Sequence, residues 1–324
     1  MLDIVAITAP IYFMIALGFV LTRFGLFAKA DMRVFGKFVI NLAMPMMLFR
    51  ALSRRSIDEI LNPDYLIAYA LGSLAVIVLG YRWCRSFSRE EPTRATFYVL
   101  GMSASNSGFI GFPILLLTFA PIAGASLALN MIVENLLVLP LLLFMAERGK
   151  NGAGASGWRS AMQPFMRLLR NPLIISLLTA LAVSASGMQL PEPVTRGVDM
   201  LANTSSALSL FVIGGTLVGL RLRGEVWKSL PVVVGKLIGH PLAVMSMIML
   251  LPWLGLPPMD PQLAMAAIIM AAMPMASIYA TLAQAYGHEE FAALTLLVCI
   301  VLSFFSITLW LLLLSNVSWF AKVL

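Results

Sequence analysis

The chain has 324 residues, of which 60% are hydrophobic and 11% are charged, and its formal net charge is +7. Apolar runs of membrane-spanning length recur from end to end, so the composition indicates an integral membrane protein without a separate soluble domain. The basic residues lie in short loops and are not interleaved with aromatic residues, which argues against a nucleic-acid-binding surface.

Loops marked by charge, Gly and Pro divide the chain into ten predicted membrane spans. The spans cover 4–22, 33–52, 64–83, 94–120, 122–146, 168–187, 197–219, 226–251, 261–286 and 290–314. A polar tract rich in Gly and Ser separates the fifth span from the sixth. We therefore predict a first five-helix repeat at residues 1–146, a cytoplasmic linker at 147–163 and a second five-helix repeat at 164–324.

The distribution of basic residues predicts the orientation in the membrane, because cytoplasmic loops are enriched in Lys and Arg. Of the 22 Lys and Arg residues, sixteen lie in or beside the odd-numbered loops, and Lys236 lies inside a span. The even-numbered loops and the tail hold only Arg50, Arg54, Arg55, Arg196 and Lys322. A multi-pass protein of the inner membrane with both termini on the non-cytoplasmic side is expected. Because five is odd, the two halves should be inverted copies.

The fourth predicted span has an unusual centre for a membrane helix. Its middle carries Ser103, Ser105, Asn106, Ser107, Gly108, Gly111 and Pro113. Proline lacks the N–H that a helix needs, and glycine stabilises a helix poorly. We expect two half-helices joined by unwound backbone between Asn106 and Pro113, near the middle of the bilayer. Unwound backbone at that depth is tolerated only inside protein or beside a watery cavity, and transporters place substrate sites there. A closely packed helix with small residues at its interface is the alternative.

The second half repeats some of these features. Pro274 and Ser277 lie near the middle of span nine, in the position that corresponds to the interruption of span four. Asn41, Pro45 and Phe49 follow each other at steps of four in span two, and Asn203, Ala207 and Phe211 do so in span seven. Interrupted segments in corresponding positions of two halves indicate the binding site of a transporter.

Ionisable residues inside spans are costly and need an explanation. Glu134 lies in the middle of span five, and Asn130 shares its helix face. Lys236 and His240 share one face of span eight, just before a proline. Glu134 and Lys236 could form a buried ion pair or a hydrogen-bonded link between helices, or a proton or ion site with its counter-charge. His240 is interpreted as a packing residue in preference to a proton relay. Span three, with Ser73, is interpreted as an ordinary span.

Several classes of function find no support in the sequence. No cluster of metal ligands, no phosphate-binding loop and no nucleophile–base pair occurs at a diagnostic spacing, so no metal, no cofactor and no ATP-driven pumping are expected. An intramembrane enzyme would have to build a catalytic pair from a serine with His240 or Glu134. The two cysteines, Cys84 and Cys299, are expected to be free thiols.

Four motifs resemble the auxin efflux carrier family, whose bacterial members are often described as malonate or malate permeases. They are NLAMP at 41–45, SASNSGFIGFP at 103–113, KLIGHP at 236–241 and the pair MPMAS and LAQAYG at 273–277 and 282–287. The resemblance covers essentially the whole chain. It implies an all-α integral membrane fold of ten helices, built as two inverted five-helix repeats with broken helices four and nine that cross. It also implies an elevator-like movement of helices 3 to 5 and 8 to 10, and a homodimer through the scaffold that includes helices 2 and 7.

The resemblance also implies where a substrate binds. Asn106 matches an asparagine beside the crossing that holds the carboxylate of the substrate in plant relatives. Many relatives have Asn where this chain has Ile278, which leaves Ser277 and Tyr279 as the nearest polar candidates in the second half.

The function expected from the sequence is secondary transport of a small organic anion, with proton coupling as an open question. Asn106 with Ser105 and Ser107 would hold the carboxylate, and Lys236 would supply counter-charge. A sodium-coupled symporter of the bile-acid type and a membrane receptor that does not transport are the alternatives.

Overall fold

A computed structural model describes residues 2–53, 62–151, 172–188, 190–219, 226–284 and 286–316. Within these ranges the protein is all-helical and has no named strand. Most of the predicted linker at 147–163, from residue 152 onward, lies outside the described residues, and so does the tail from residue 317.

The described part of the chain forms a series of helices that follows the predicted spans. The helices are α1 (Leu2–Arg23), α2 (Lys29–Leu52), α3 (Pro63–Ser86), α4 (Pro92–Ser103), α5 (Ser107–Thr118), α6 (Ala120–Lys150), α7 (Pro172–Ser186), α8 (Glu192–Thr216), α9 (Val226–Leu254), α10 (Pro261–Ala272), α11 (Tyr279–Gln284) and α12 (Glu289–Asn316).

Six of these helices are long and apolar enough to cross a membrane, namely α2, α3, α6, α8, α9 and α12. Shorter apolar helices cover Ala9–Arg23, Ser107–Thr118, Pro172–Ser186 and Pro261–Ala272. The chain is therefore a helical protein with several candidate membrane spans.

Both predicted interruptions are present, but they do not fall quite where the glycines and prolines suggested. Between α4 and α5 the helix is broken at residues 104–106, and Gly108 and Pro113 already belong to α5. Pro113 is tolerated there because it lies in the first turn after a wide π-turn. Between α10 and α11 the helix is broken at residues 273–278, which include Pro274 and Ser277.

Four π-turns recur in the described helices, and each ends two residues before a proline. They are Val39–Ala43, Ser107–Gly111, Glu134–Val138 and Gly235–Gly239, followed by Pro45, Pro113, Pro140 and Pro241. A proline cannot donate to the carbonyl one turn earlier, and a local widening of the helix relieves the clash of its ring with that carbonyl.

Side chains satisfy two of the carbonyls that these prolines leave free. Trp310 Nε1 donates to the carbonyl of Leu237, four residues before Pro241, over 2.9 Å. Ser209 Oγ donates to the carbonyl of Phe109, four residues before Pro113, over 3.2 Å. The π-turns are thus fixed by tertiary hydrogen bonds as well as by local sequence.

The chain divides into two compact units, and each unit draws on both predicted repeats. Unit one comprises Met1–Asn62, Gly108–Leu129 and Leu169–Leu220, and unit two comprises Pro63–Ser107, Asn130–Leu168 and Arg221–Leu324. Within unit one, α1 and α8 pack backbone against backbone. A Cβ atom on Gly18 would lie 2.0 Å from the Phe211 carbonyl oxygen, and one on Gly214 would lie 1.8 Å from that of Ile15. Only glycine allows this approach.

Candidate functional site

The two helix interruptions of unit two, residues 104–106 and 273–278, pair with each other through their backbones, and we call this pair of segments the crossing. Ser105 and Met275 form an isolated antiparallel β-bridge. The Asn106 N–H donates to the Pro274 carbonyl over 2.8 Å, and the Ala276 N–H donates to the Ala104 carbonyl over 3.1 Å. The unwound segments thereby satisfy buried backbone groups that would otherwise lack hydrogen-bond partners.

The side chain of Asn106 reaches across this crossing to the other interruption. Its Nδ2 donates to Ser277 Oγ over 2.8 Å, and its own exposed fraction is 4%. The sequence predicted both residues as substrate-binding, and the structure brings them into contact although they lie 171 positions apart. An amide and a hydroxyl at one point offer donors suited to a carboxylate oxygen.

Ser105 is the centre of a buried polar cluster beside the crossing. Its backbone N–H donates to Glu134 Oε1 over 2.8 Å. Its hydroxyl oxygen accepts from Lys236 Nζ over 2.7 Å and lies 3.1 Å from the hydroxyl of Tyr69. Ser105 therefore connects the carboxylate of α6 with the ammonium group of α9.

Glu134 is surrounded by hydrogen-bond donors. Besides Ser105, the hydroxyl of Ser107 donates to Glu134 Oε2 over 3.1 Å and that of Tyr69 donates to Oε1 over 3.4 Å. Asn130 Nδ2 donates in turn to Ser107 Oγ over 2.5 Å. Three converging donors suit an ionised carboxylate, because only the ionised form accepts at all its lone-pair positions. The N–H of Ser105 and the hydroxyl of Ser107 thus donate to Glu134, whereas the sequence had assigned both residues to the substrate.

The buried ammonium group of Lys236 uses all three of its protons. Its Nζ contacts Ser105 Oγ at 2.7 Å, His240 Nδ1 at 2.9 Å and the Ala271 carbonyl at 2.6 Å. Ala271 lies in the last turn of α10, where a positive charge offsets the partial negative charge of the helix end. All three hydrogen bonds of the Lys236 ammonium group are thus made to protein groups.

Glu134 and Lys236 do not form a direct ion pair among the described residues. The ion pairs found there within 4.0 Å are Arg50–Asp199, Arg94–Glu90 and Arg196–Glu192. The two charges of the cluster are instead joined through Ser105, which binds Glu134 with its N–H and Lys236 with its hydroxyl. The contact between the two residues is thus a hydrogen-bonded link, and the role of the pair as a proton or ion site stays a prediction.

His240 lies between Lys236 and Ser73. A lysine ammonium group can only donate, so His240 Nδ1 accepts from it and the ring proton must lie on Nε2. Nε2 then donates to Ser73 Oγ over 2.9 Å. A ring nitrogen that donates to a serine cannot remove that serine's proton. The Ser73–His240 pair therefore lacks the free base that a serine nucleophile needs.

Span three is not the ordinary span that the sequence suggested. Tyr69 and Ser73, one helical turn apart on α3, are fully buried and bond to Ser105, Glu134 and His240. Their signal in the sequence was two polar groups on one face of an apolar helix. That signal was too weak to name a partner.

The other predicted site residues lie elsewhere. The Asn41 side chain is exposed, and its Nδ2 donates to the Lys37 carbonyl one turn earlier over 2.7 Å. The carbonyl of Pro45 accepts from Ser176 Oγ. Asn41, Pro45, Gly108 and Pro113 belong to unit one. Tyr279 is buried in unit two, and its hydroxyl has no hydrogen-bond partner among the described residues.

The known proteins that this chain resembles are described as transport proteins. A family model described as "Membrane transport protein" matches residues 3–311. The "Putative malonate transporter" of Rhizobium meliloti (strain 1021) is 24% identical over 312 residues, which cover 95% of this chain and 95% of the relative. The "Uncharacterized transporter YfdV" of Escherichia coli (strain K12) is 25% identical over 219 residues, which cover 64% of this chain and 67% of the relative.

Proposed function

Because the chain belongs to the membrane transport protein family, that is, the auxin efflux carrier family, we propose that it is a secondary transporter. Its cargo is a small organic anion such as a carboxylate, which crosses the inner membrane. The relative named for malonate supports a small acid as cargo.

The observation that carries this proposal is the contact between Asn106 and Ser277 at the crossing. The helix interruptions bring together an amide and a hydroxyl from distant parts of the chain. Both side chains can donate to an oxygen of a carboxylate, and hydrogen bonds to a charged group are the stronger kind. Unwound backbone of this kind forms the substrate sites of many transporters, which supports the proposal.

The charges behind the crossing support coupling to protons. Glu134 and Lys236 are buried together and joined through Ser105, so a change in the charge of Glu134 alters the field at the crossing. We therefore propose that Glu134 takes up and releases a proton during transport. The sodium-coupled alternative is less well supported, because donors converge on Glu134 and a fixed ammonium group already balances its charge.

The finer architecture also belongs to the proposal. It comprises ten spans in two inverted repeats, an elevator-type mechanism, both termini on the non-cytoplasmic side and a homodimer through predicted helices 2 and 7. The division into two compact units supports an elevator-type movement, because the polar cluster and its backbone pairing lie wholly within unit two. Such a unit could move without breaking these hydrogen bonds.

Reconstitution in liposomes tests the proposal. Liposomes that contain the purified protein and an unlabelled acid should take up the same acid in labelled form, either malonate or a monocarboxylate. Liposomes without protein should not. Uptake that follows an imposed pH gradient supports proton coupling, whereas uptake that requires a sodium gradient favours the symporter. Binding without uptake indicates a receptor. If the protein neither binds nor takes up any tested acid, the proposed function is contradicted.

A further inference from the structure

Only two residues in the paired interruptions of unit two are exposed. Ser277 and Ile278 are exposed, whereas Asn106 and Pro274 are buried. Ala276 is half-buried. A molecule that reaches the crossing therefore touches Ser277 and Ile278 before any other residue of these segments.

Ser277 offers one hydrogen-bond donor at this point. Its oxygen accepts from Asn106 Nδ2, and its own proton has no acceptor among the described residues. The hydroxyl that accepts from the amide is polarised and becomes a better donor. The hydroxyl of Ser277, supported by the amide of Asn106, can donate a hydrogen bond to one carboxylate group.

Ile278 follows Ser277 directly in the chain and presents an exposed aliphatic side chain. Half of it is exposed, at 50%, and it can neither donate nor accept a hydrogen bond. A second carboxylate placed against it would lose water without gaining a partner, whereas an apolar group would bury surface favourably.

We propose that Ile278 sets the substrate class of this transporter, selecting an acid with one carboxylate and an apolar body over a short dicarboxylate. This inference rests on the proposed function, since it requires the crossing to bind a carboxylate. Ser277 and Asn106 hold the carboxylate, and the apolar body of the substrate lies on Ile278. The chain thus prefers a cargo different from the one for which its relative is named.

The test compares two acids of equal carbon number, butanoate and succinate, on the purified full chain. Thermal shift at several concentrations gives the affinity of each acid. Wild-type protein should bind butanoate about tenfold or more tightly than succinate, because a site without a partner for a polar group discriminates at least on that scale. Ile278→Asn should lower this ratio about tenfold, by supplying donors for the second carboxylate.

Folding should tolerate this substitution, since residue 278 directly precedes α11 and asparagine is favoured at that position. Ile278→Ala serves as a second variant. It should weaken butanoate binding and leave succinate binding unchanged. Ile175→Asn is the matched control, because Ile175 has the same exposure, 51%, and lies on α7 in unit one. That control should keep the wild-type ratio.

Two outcomes separate this inference from the proposed function. Tighter binding of succinate than of butanoate by the wild type, or an unchanged ratio in Ile278→Asn, contradicts the role of Ile278 and leaves the carboxylate site intact. If neither acid binds and labelled acids do not enter liposomes, the proposed function itself fails, and this inference fails with it.

Discussion

The indole N–H of Trp310 donates to the backbone carbonyl of Leu237 over 2.9 Å, and this bond closes the π-turn that carries Lys236. Pro241 lies four residues after Leu237 and has no N–H to offer that carbonyl. A residue of α12 thus replaces a bond that α9 cannot make for itself. This bond joins the turn that carries Lys236 to a tryptophan more than seventy residues away.

Trp310→Phe removes this donor and keeps most of the apolar surface. The free energy of unfolding should fall by about 1 to 3 kcal/mol, because a buried carbonyl loses its partner. Thermal melting in detergent measures the change. Trp253→Phe is the control, since Trp253 is 88% exposed and should tolerate the change.

A double mutant sharpens this prediction. Pro241→Ala restores a backbone N–H that can reach the Leu237 carbonyl. Trp310→Phe should therefore cost less in the Pro241→Ala background than in the wild type. Equal costs in both backgrounds would show that Trp310 contributes through packing alone.

Lys236→Met tests the bridging role of the ammonium group. The substitution leaves three buried acceptors without their donor: Ser105 Oγ, His240 Nδ1 and the Ala271 carbonyl. Removing one partner from a buried charged network commonly costs about 3 to 5 kcal/mol, so a large loss of thermal stability is expected. The exposed Lys228 provides the control Lys228→Met, which should melt like the wild type. Wild-type melting of Lys236→Met would exclude the bridging role.

Glu134→Gln separates proton coupling from a purely structural role. Glutamine keeps one acceptor oxygen but places an NH₂ group against a donor, so a hydrogen bond to a charged group, about 1.5 to 3 kcal/mol, should be lost. If Glu134 carries the transported proton, uptake driven by a pH gradient should stop while exchange of labelled for unlabelled acid continues. Glu147→Gln is the control, because Glu147 bonds to Tyr286 away from the cluster. A Glu134→Gln protein that retains pH-driven uptake rules out the proton role.

The predicted orientation of the chain in the membrane follows from its basic residues, and a reporter fusion tests it. Sixteen of the 22 Lys and Arg residues lie in or beside odd-numbered loops, which predicts that both termini lie outside the cytoplasm. A reporter that matures only in the cytoplasm should stay dark when it is fused after Leu324. A bright fusion would mean that the orientation or the span count is wrong.

The sequence predicted the main features of the fold for physical reasons that act locally. Apolar length located the helices, and the serines, glycines and proline of span four located an interruption. The break itself lies earlier than predicted, at residues 104–106, because the backbone there pairs with Pro274 and Ala276. A partner so distant along the chain leaves no local signal.

Because the sequence shows only local signals, it predicted some site residues and missed others. Asn106, Glu134 and Lys236 were visible because polar groups inside apolar spans are costly and need partners. Tyr69 and Ser73 were missed, because each can be accommodated in an ordinary span and only the fold gives them partners. The assignment of Ser107 to the substrate could not be refined either, since Glu134 reaches it from another helix.

Asn106→Ala tests the central claim, that the crossing binds the carboxylate of the substrate. Asn135→Ala is the matched control, because the Asn135 amide donates within its own helix, to the Met131 carbonyl one turn back, over 2.9 Å. A hydrogen bond to a charged group contributes about 1.5 to 3 kcal/mol, and about 1.4 kcal/mol is a tenfold change in affinity.

The decisive measurement is the affinity of purified Asn106→Ala protein for the acid that the wild type binds best, with its melting temperature recorded in the same samples. The proposed site predicts an affinity about ten- to a hundredfold weaker than that of Asn135→Ala, with similar melting temperatures. Wild-type affinity in an Asn106→Ala protein that melts at a much lower temperature would contradict it. In that case the contact between Asn106 and Ser277 only holds the helices together.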